Sequence, residues 1–143
     1  ISMGQFAADN WSCQINQEFY TAPYLSILLS NSFDPNSDSG TVTANITTLN
    51  SLPASDNVLH VIITENDIPY VTAPNGITML SDVMRTMVTG KDGESVTIGQ
   101  NTVIAKGYTI SQNWKEDDCY ITVFIQNPAS KQVFGVERIK VKQ

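Results

Sequence analysis

Asp34-x-Asn36-x-Asp38-x-Gly40 sets oxygen-bearing side chains at alternate positions of a turn, the spacing by which a loop gathers oxygens around calcium. Its glycine falls one position late for such a loop, and Asn45 stands where a bidentate Glu belongs, so an acidic, solvated turn is the better reading. Glu65, Asp67, Asp82 and Arg85 flank a 69–78 loop and suit either a polar pocket or a structural ion pair, with the pair favoured: Arg85 bonding Glu65 or Asp82. His60 is the one histidine. It lacks the companion ligands of a zinc site, and no Ser or Cys is placed to use it as a base, so a buried or half-buried, hydrogen-bonded imidazole is expected. Trp114 and Tyr24 are candidates for a ligand-stacking face of the kind carbohydrate-binding modules use, set against rings that cap the core, which is favoured. Cys13 and Cys119 lie nearly a whole domain apart. A disulfide between them would stabilise by about 4–5 kcal/mol in the chain-entropy model, and two buried free thiols fit the residues equally well. Neither cysteine belongs to a CxxC motif, which argues against redox catalysis. Asn10-Trp11-Ser12 and Asn45-Ile46-Thr47 match the N-glycosylation sequon.

The elements that must position these residues are strands. Segments 41–49, 58–65, 103–110 and 119–126 alternate with a period of two, and no stretch holds a helical period long enough to compete. Val42, Ala44 and Ile46 share one face of the first, with Thr41, Thr43, Asn45 and Thr47 on the other. Residues 58–65 are apolar on both faces, the mark of a central strand. Strands are also expected at 14–20, 24–31, 79–89 and 132–141. A hairpin turn is expected at 90–93, and bulges at Gly107 and near Gly135. Residues 1–13 form a lead-in without period, followed by one domain over 14–143. The expected fold is all-β: a single antiparallel β-sandwich of roughly eight strands, jelly-roll-like or immunoglobulin-like.

Charge bounds the partners. The net charge is −6, and residues 1–84 hold eight acids and no base. The eight bases all lie at or after Arg85, dispersed among six acids. An acidic chain without a basic cluster argues against nucleic acid and against anionic membrane surfaces. Charged residues make up 15% of the chain, low against a usual ~25%, and Ser, Thr and Asn fill the gap as in many secreted β-proteins. No apolar run is long enough to span a bilayer, and the start at Ile1 suggests a mature or excised fragment.

The order of Val58 to Ile68, Asp82-Val83-Met84-Arg85-Thr86-Met87, Gly90 to Gly93, Trp114, Cys119 to Asn127 and Lys131 to Val136 resembles a known group. It is similar to the C-terminal β-sandwich of the twenty-eight-kilodalton immunogenic outer-membrane antigens of Bacteroidetes, across roughly residues 40–141. Members often pair this sandwich with an N-terminal thioredoxin-like domain. Where the group often has His before Val-x-Arg, this chain has Asp82, so no metal or pH role is carried to that position. The resemblance implies a lipoprotein or secreted parent in the cell envelope, at the outer-membrane surface, in the periplasm or outside the cell, with no established enzymatic activity.

The expected function is a non-catalytic module, structural or binding, with other envelope proteins or glycans as partners. Its rivals are a surface-fibre subunit that assembles by strand addition as a homo-oligomer, and a carbohydrate-binding module. No cofactor is expected beyond the calcium loop, whose residues would be Asp34, Asn36 and Asp38.

Overall fold

The computed structural model describes residue 15, residues 22–70 and residues 76–142. Strict alternation builds the first sheet. In β1 (Leu25–Asp34), Leu25, Ile27 and Leu29 are buried between exposed neighbours, and in β2 (Ser39–Thr48) Val42, Ala44 and Ile46 are buried. The two pair antiparallel from Leu25↔Thr48 to Asp34↔Ser39, and β2 pairs on its other side with β8 (Asn101–Thr109). The order β1-β2-β8 makes a three-stranded sheet.

The second sheet is centred on β3 (Asn57–Glu65), which is buried on both faces apart from a half-buried Ile62. Its neighbours are β9 (Cys119–Gln126) on one side and, on the other, β6 (Val83–Met87) followed by β7 (Glu94–Val96). Beyond β9 lies β10 (Val133–Lys140), whose register shifts between Val133 and Gly135. The short strands β4 (Ile68–Pro69) and β5 (Met79–Leu80) pair with each other. Leu59, Val61 and Ile63 of β3 and Ile121, Val123 and Ile125 of β9 meet the inner side chains of the first sheet. Burying each of the large aliphatic residues stabilises the fold by about 1.5–3 kcal/mol.

Chain order places β1, β2 and β8 in one layer and β3, β6, β9 and β10 in the other, which is the immunoglobulin-like of the two expected topologies. Three local expectations are corrected. Residues 90–93 do not close a hairpin, because β6 and β7 do not pair with each other; they form one interrupted lane along the same edge of β3. Gly107 makes no bulge, since β2 and β8 keep an unbroken register through Thr41↔Gly107. The 79–89 strand is split at Asp82, whose backbone is left-handed (φ 54°). The bulge near Gly135 is present. The lead-in 1–13 lies outside the described residues, as does most of 14–20, where Ile15 alone is described, with helical backbone and an exposed side chain. No helix among the described residues is long and apolar enough to cross a membrane.

Candidate functional site

The polar residues singled out in the sequence collect at one end of the sandwich, and Glu65 is their centre. It follows Leu59, Val61 and Ile63 on the inner face of β3, so the strand's own period drives a carboxylate into the end of the core, where it is 3% exposed. A buried carboxylate must be paired, and both of its oxygens are. Arg85 Nε donates to Oε2 at 2.7 Å, and the Lys115 backbone N–H donates to Oε1 at 3.0 Å. Arg85 reaches it because the β3–β6 register shifts at Ile63/Thr64: Thr64 faces Met84 and Ile63 faces Thr86, which leaves Arg85 as the extra residue. Such a break re-aims a side chain. The Arg85 guanidinium lies 5.9 Å from the centre of the Trp114 ring, which packs on the core from outside.

Asp82 does not join this pair. Its carboxylate takes Arg138 Nη2 at 2.6 Å, and its backbone N–H donates to Asn66 Oδ1 at 2.6 Å. Arg138 also lies over Tyr120, 4.0 Å from the ring centre. The acidic triplet of the short 3-10 turn Glu116–Asp118 is neutralised in the same way. Lys142 pairs with Glu116 and lies 3.5 Å from Asp117, and Lys115 approaches Asp118 at 3.9 Å. Glu65 can be found in the sequence by extending the alternation of β3 one step further. Arg138, 56 residues from Asp82, leaves no such signal.

Cys119 lies directly opposite Glu65 in the β3–β9 ladder and is fully covered. Its thiol is free. Burial, reinforced by the Glu65 charge and partly offset by Arg85, pushes its pKa up to about 11. Cys13, the other cysteine of the disulfide weighed against two free thiols, lies outside the described residues.

His60 is 6% exposed, on the outer face of β3. Its ring stacks on Phe124 at 4.7 Å, and its Nδ1 has no hydrogen-bond partner among the described residues. Desolvation lowers its pKa below the usual 6.5, as does nearby Lys131, against an opposing effect from Asp92. The interruption between β6 and β7 lies opposite His60, because Met87 pairs with Ile62 and Glu94 with Leu59.

The candidate calcium loop is a hairpin turn held by its own donors. Asp34 Oδ1 accepts from the Asn36 backbone N–H at 2.9 Å and from Asn36 Nδ2 at 3.0 Å, and Oδ2 accepts from Ser37 Oγ at 3.0 Å. These bonds hold the carboxyl below its ordinary pKa. Asp38 takes the left-handed conformation (φ 50°) that lets the chain re-enter β2. No group of three or more His, Cys, Asp or Glu side chains converges among the described residues. Tyr24 and Trp114 sit at opposite ends of the sandwich. Tyr24 packs edge-on against Phe134 at 5.4 Å near the start of β10, so the two candidate rings form no common face. An open groove of about 500 Å³ runs between β6 and β8. Ser39, Thr86, Met87, Val88, Tyr108 and Thr109 line it, and its one titratable group, the Tyr108 phenol, donates to Asn31 Oδ1 at 2.8 Å.

No family model matches the chain, and no curated protein matches it. Solved structures do. HBP35 of Porphyromonas gingivalis superposes with a TM-score of 0.76 at 13% identity, over 91% of this chain and 45% of its own. The chain therefore spans less than half the length of that protein. A domain of the outer membrane lipoprotein Omp28 from Porphyromonas gingivalis superposes with a TM-score of 0.61 at 14% identity, over 85% of this chain and 90% of that domain. The resemblance read from motif order is thus carried by the fold, and the chain is an immunoglobulin-like sandwich of the type found in these Porphyromonas proteins.

Proposed function

We propose that this chain is a non-catalytic module of an exported bacterial envelope protein, with a structural or protein-binding role. The observation that carries the reading is the joint one: a fold shared with an outer membrane lipoprotein domain, and ionisable groups spent on holding that fold together. Glu65 has both oxygens engaged, Asp82 is bound by Arg138, the Cys119 thiol is covered, and His60 is enclosed. A general acid or base needs a free, reachable proton site; Glu65, Cys119 and His60 are covered, and the exposed Asp82 carboxylate is held by Arg138. Fractionation of cells that make the parent protein tests the proposal. Recovery of the domain with the envelope or the medium is expected, and recovery in the cytosol would overturn it.

A carbohydrate-binding role is the weaker reading, because Trp114 and Tyr24 are both half-buried and packed on the core. A glycan array with a Trp114→Ala control separates the two. A hit abolished by the substitution would favour sugar.

A further inference from the structure

We propose that the Gly90-Lys91-Asp92-Gly93 loop is a proteolytic processing site. A lysine-directed endoprotease cuts the folded domain after Lys91 and at no other base between its first strand and its last, and the two chains produced stay together as one sandwich.

Endoproteases that cut after Lys or Arg hold that side chain in an acidic pocket. Residues 1–84 contain neither, and all eight bases lie between Arg85 and Lys142, so every possible site falls among the described residues. Such an enzyme must draw a run of backbone out of the fold into its cleft. It therefore attacks where local opening takes little free energy, which is most often an exposed loop tip.

The other bases lie where opening is resisted. Arg85, Lys106, Arg138 and Lys140 are inside β6, β8 and β10. The first three are also tied by their side chains, to Glu65, Glu94 and Asp82. The bond after Lys140 leads into Val141, which is 1% exposed. Lys115 is pinned on both sides: its N–H donates to Glu65 Oε1 at 3.0 Å, and its carbonyl accepts from the Asp118 N–H at 2.9 Å. Lys131 sits in a braced turn. Its N–H donates to Asn127 O and its carbonyl accepts from Gln126 Nε2, each at 2.9 Å. Asn127 Oδ1 holds the same turn through the N–H groups of Ala129 and Ser130. Lys142 lies past β10, where a cut severs no strand.

Lys91 differs on each count. Its side chain is 83% exposed, and its pair with the equally exposed Asp92, at 2.7 Å, is of the surface kind that contributes little. Main-chain bonds close the loop at its glycines, Gly90 N–H to Met87 O at 3.0 Å and Gly93 N–H to Gly90 O at 3.2 Å. None holds Lys91 or Asp92 among the described residues. Both glycines are left-handed, with φ 74°, a conformation that glycine leaves as readily as it enters. The scissile pair can therefore be drawn out between two pliant residues.

Hydrolysis adds one water across the Lys91–Asp92 peptide bond and leaves a carboxylate on Lys91 and an amino group on Asp92. The first six strands stay on one chain, and β7 to β10 stay on the other. The β2–β8, β3–β9 and β3–β7 ladders all join the two chains. Each main sheet then holds strands of both, so the sandwich persists.

Limited digestion of the native chain with trypsin, with reductant present throughout, tests this by intact mass. One pair of fragments is expected, ending at Lys91 and beginning at Asp92, which elute together in gel filtration and part only in denaturant. Lys91→Gln should keep the melting temperature and slow internal cleavage by at least about tenfold, because cutting then waits on the opening of a strand or a braced turn. An arginine-specific endoprotease should leave the native protein whole over the same period, since Arg85 and Arg138 both lie in strands. First cleavage after Lys115 or Lys131, arginine-specific cutting at the tryptic rate, or an unchanged rate in Lys91→Gln would overturn the proposal. So would fragments that part without denaturant, or a native chain that stays whole where the unfolded chain is digested.

Discussion

Glu65 and Arg85 meet at 2.7 Å across the one shift in the β3–β6 register, and the shift is what brings them together. The Glu65 side chain is 4% exposed and that of Arg85 29% exposed, so the carboxylate is the member that cannot tolerate isolation. Arg85→Met should cost about 3 kcal/mol, the low end for breaking a buried pair, since the Lys115 N–H remains to Glu65. Glu65→Met with Arg85→Met should cost less than the single change, because no charge is then stranded. Urea denaturation of the four proteins in a double-mutant cycle measures this. Additive losses would show that the pair is not coupled.

Stability should fall with acidity through His60. Burial and Lys131 depress its folded pKa below 6.5, so the unfolded chain binds the proton first as pH drops. The contribution of the neutral imidazole is therefore whole above about pH 6.5 and is lost as pH falls from there through the folded value. It is the only histidine, so a drop in urea midpoint between pH 7.5 and 5.5 has few other sources. His60→Leu should flatten that drop, and exchange should quicken first around Gly93, which lies against the ring. A drop of equal size in the variant would place the titrating group elsewhere.

Three glycines separate space from backbone conformation. Gly90 has φ +74° with open space where a Cβ would lie, so Gly90→Ala should cost only the left-handed penalty, about 1–2 kcal/mol. Gly40 has ordinary φ, but an added Cβ would lie 2.5 Å from Ser32 O and from Tyr108 Oη, and overpacking against fixed backbone should cost about 3 kcal/mol or more. Gly93 combines φ +74° with approaches of 2.9 Å to His60 Cε1 and Nε2, so Gly93→Ala should exceed Gly90→Ala. Thermal or chemical melts of the three variants give the order, and equal losses at 90 and 93 would remove the packing of the loop on His60.

Calcium should leave the protein unchanged. The Asp34 oxygens already accept from Asn36 and Ser37, and a cation would have to displace those donors. The melting temperature is expected to be the same with millimolar calcium as with chelator, and a rise with calcium would restore Asp34, Asn36 and Asp38 as ligands.

Most of the layering is legible in the sequence because one strand face is core and the other solvent. Val42, Ala44 and Ile46 in β2, and the alternation of β9 from Cys119 to Ile125, announce it directly. The double-sided burial of β3 likewise marks it as central. What stays hidden depends on partners distant in the chain. The two glycines of 90–93 do signal a turn, but a turn does not say whether its flanks pair with each other or with a third strand, and here both pair with β3. Gly107 resembles a bulge because glycine in a strand often marks one. Instead it sits opposite Thr41 in an unbroken ladder, and the tight backbone approach belongs to its neighbour Gly40. Proximity in sequence groups Asp82 with Arg85, yet β10 brings Arg138 to it.

Cys119 carries the last prediction. Its thiol is fully covered, faces Glu65 and has its pKa pushed up to about 11, so almost no thiolate exists at pH 8. Thiolate is the reactive form. In a Cys13→Ser background, labelling of the native protein by a disulfide reagent should therefore be slow. It should quicken only as denaturant opens the chain, tracking global unfolding and not local motion. The wild-type chain, denatured without reductant, should release two thiols, because Cys119 is free in the fold. Finding none would mean that Cys13 reaches the end of the core and bonds Cys119. Deleting that bond should then cost several kcal/mol through the long loop it closes, which the same denaturation curves would reveal.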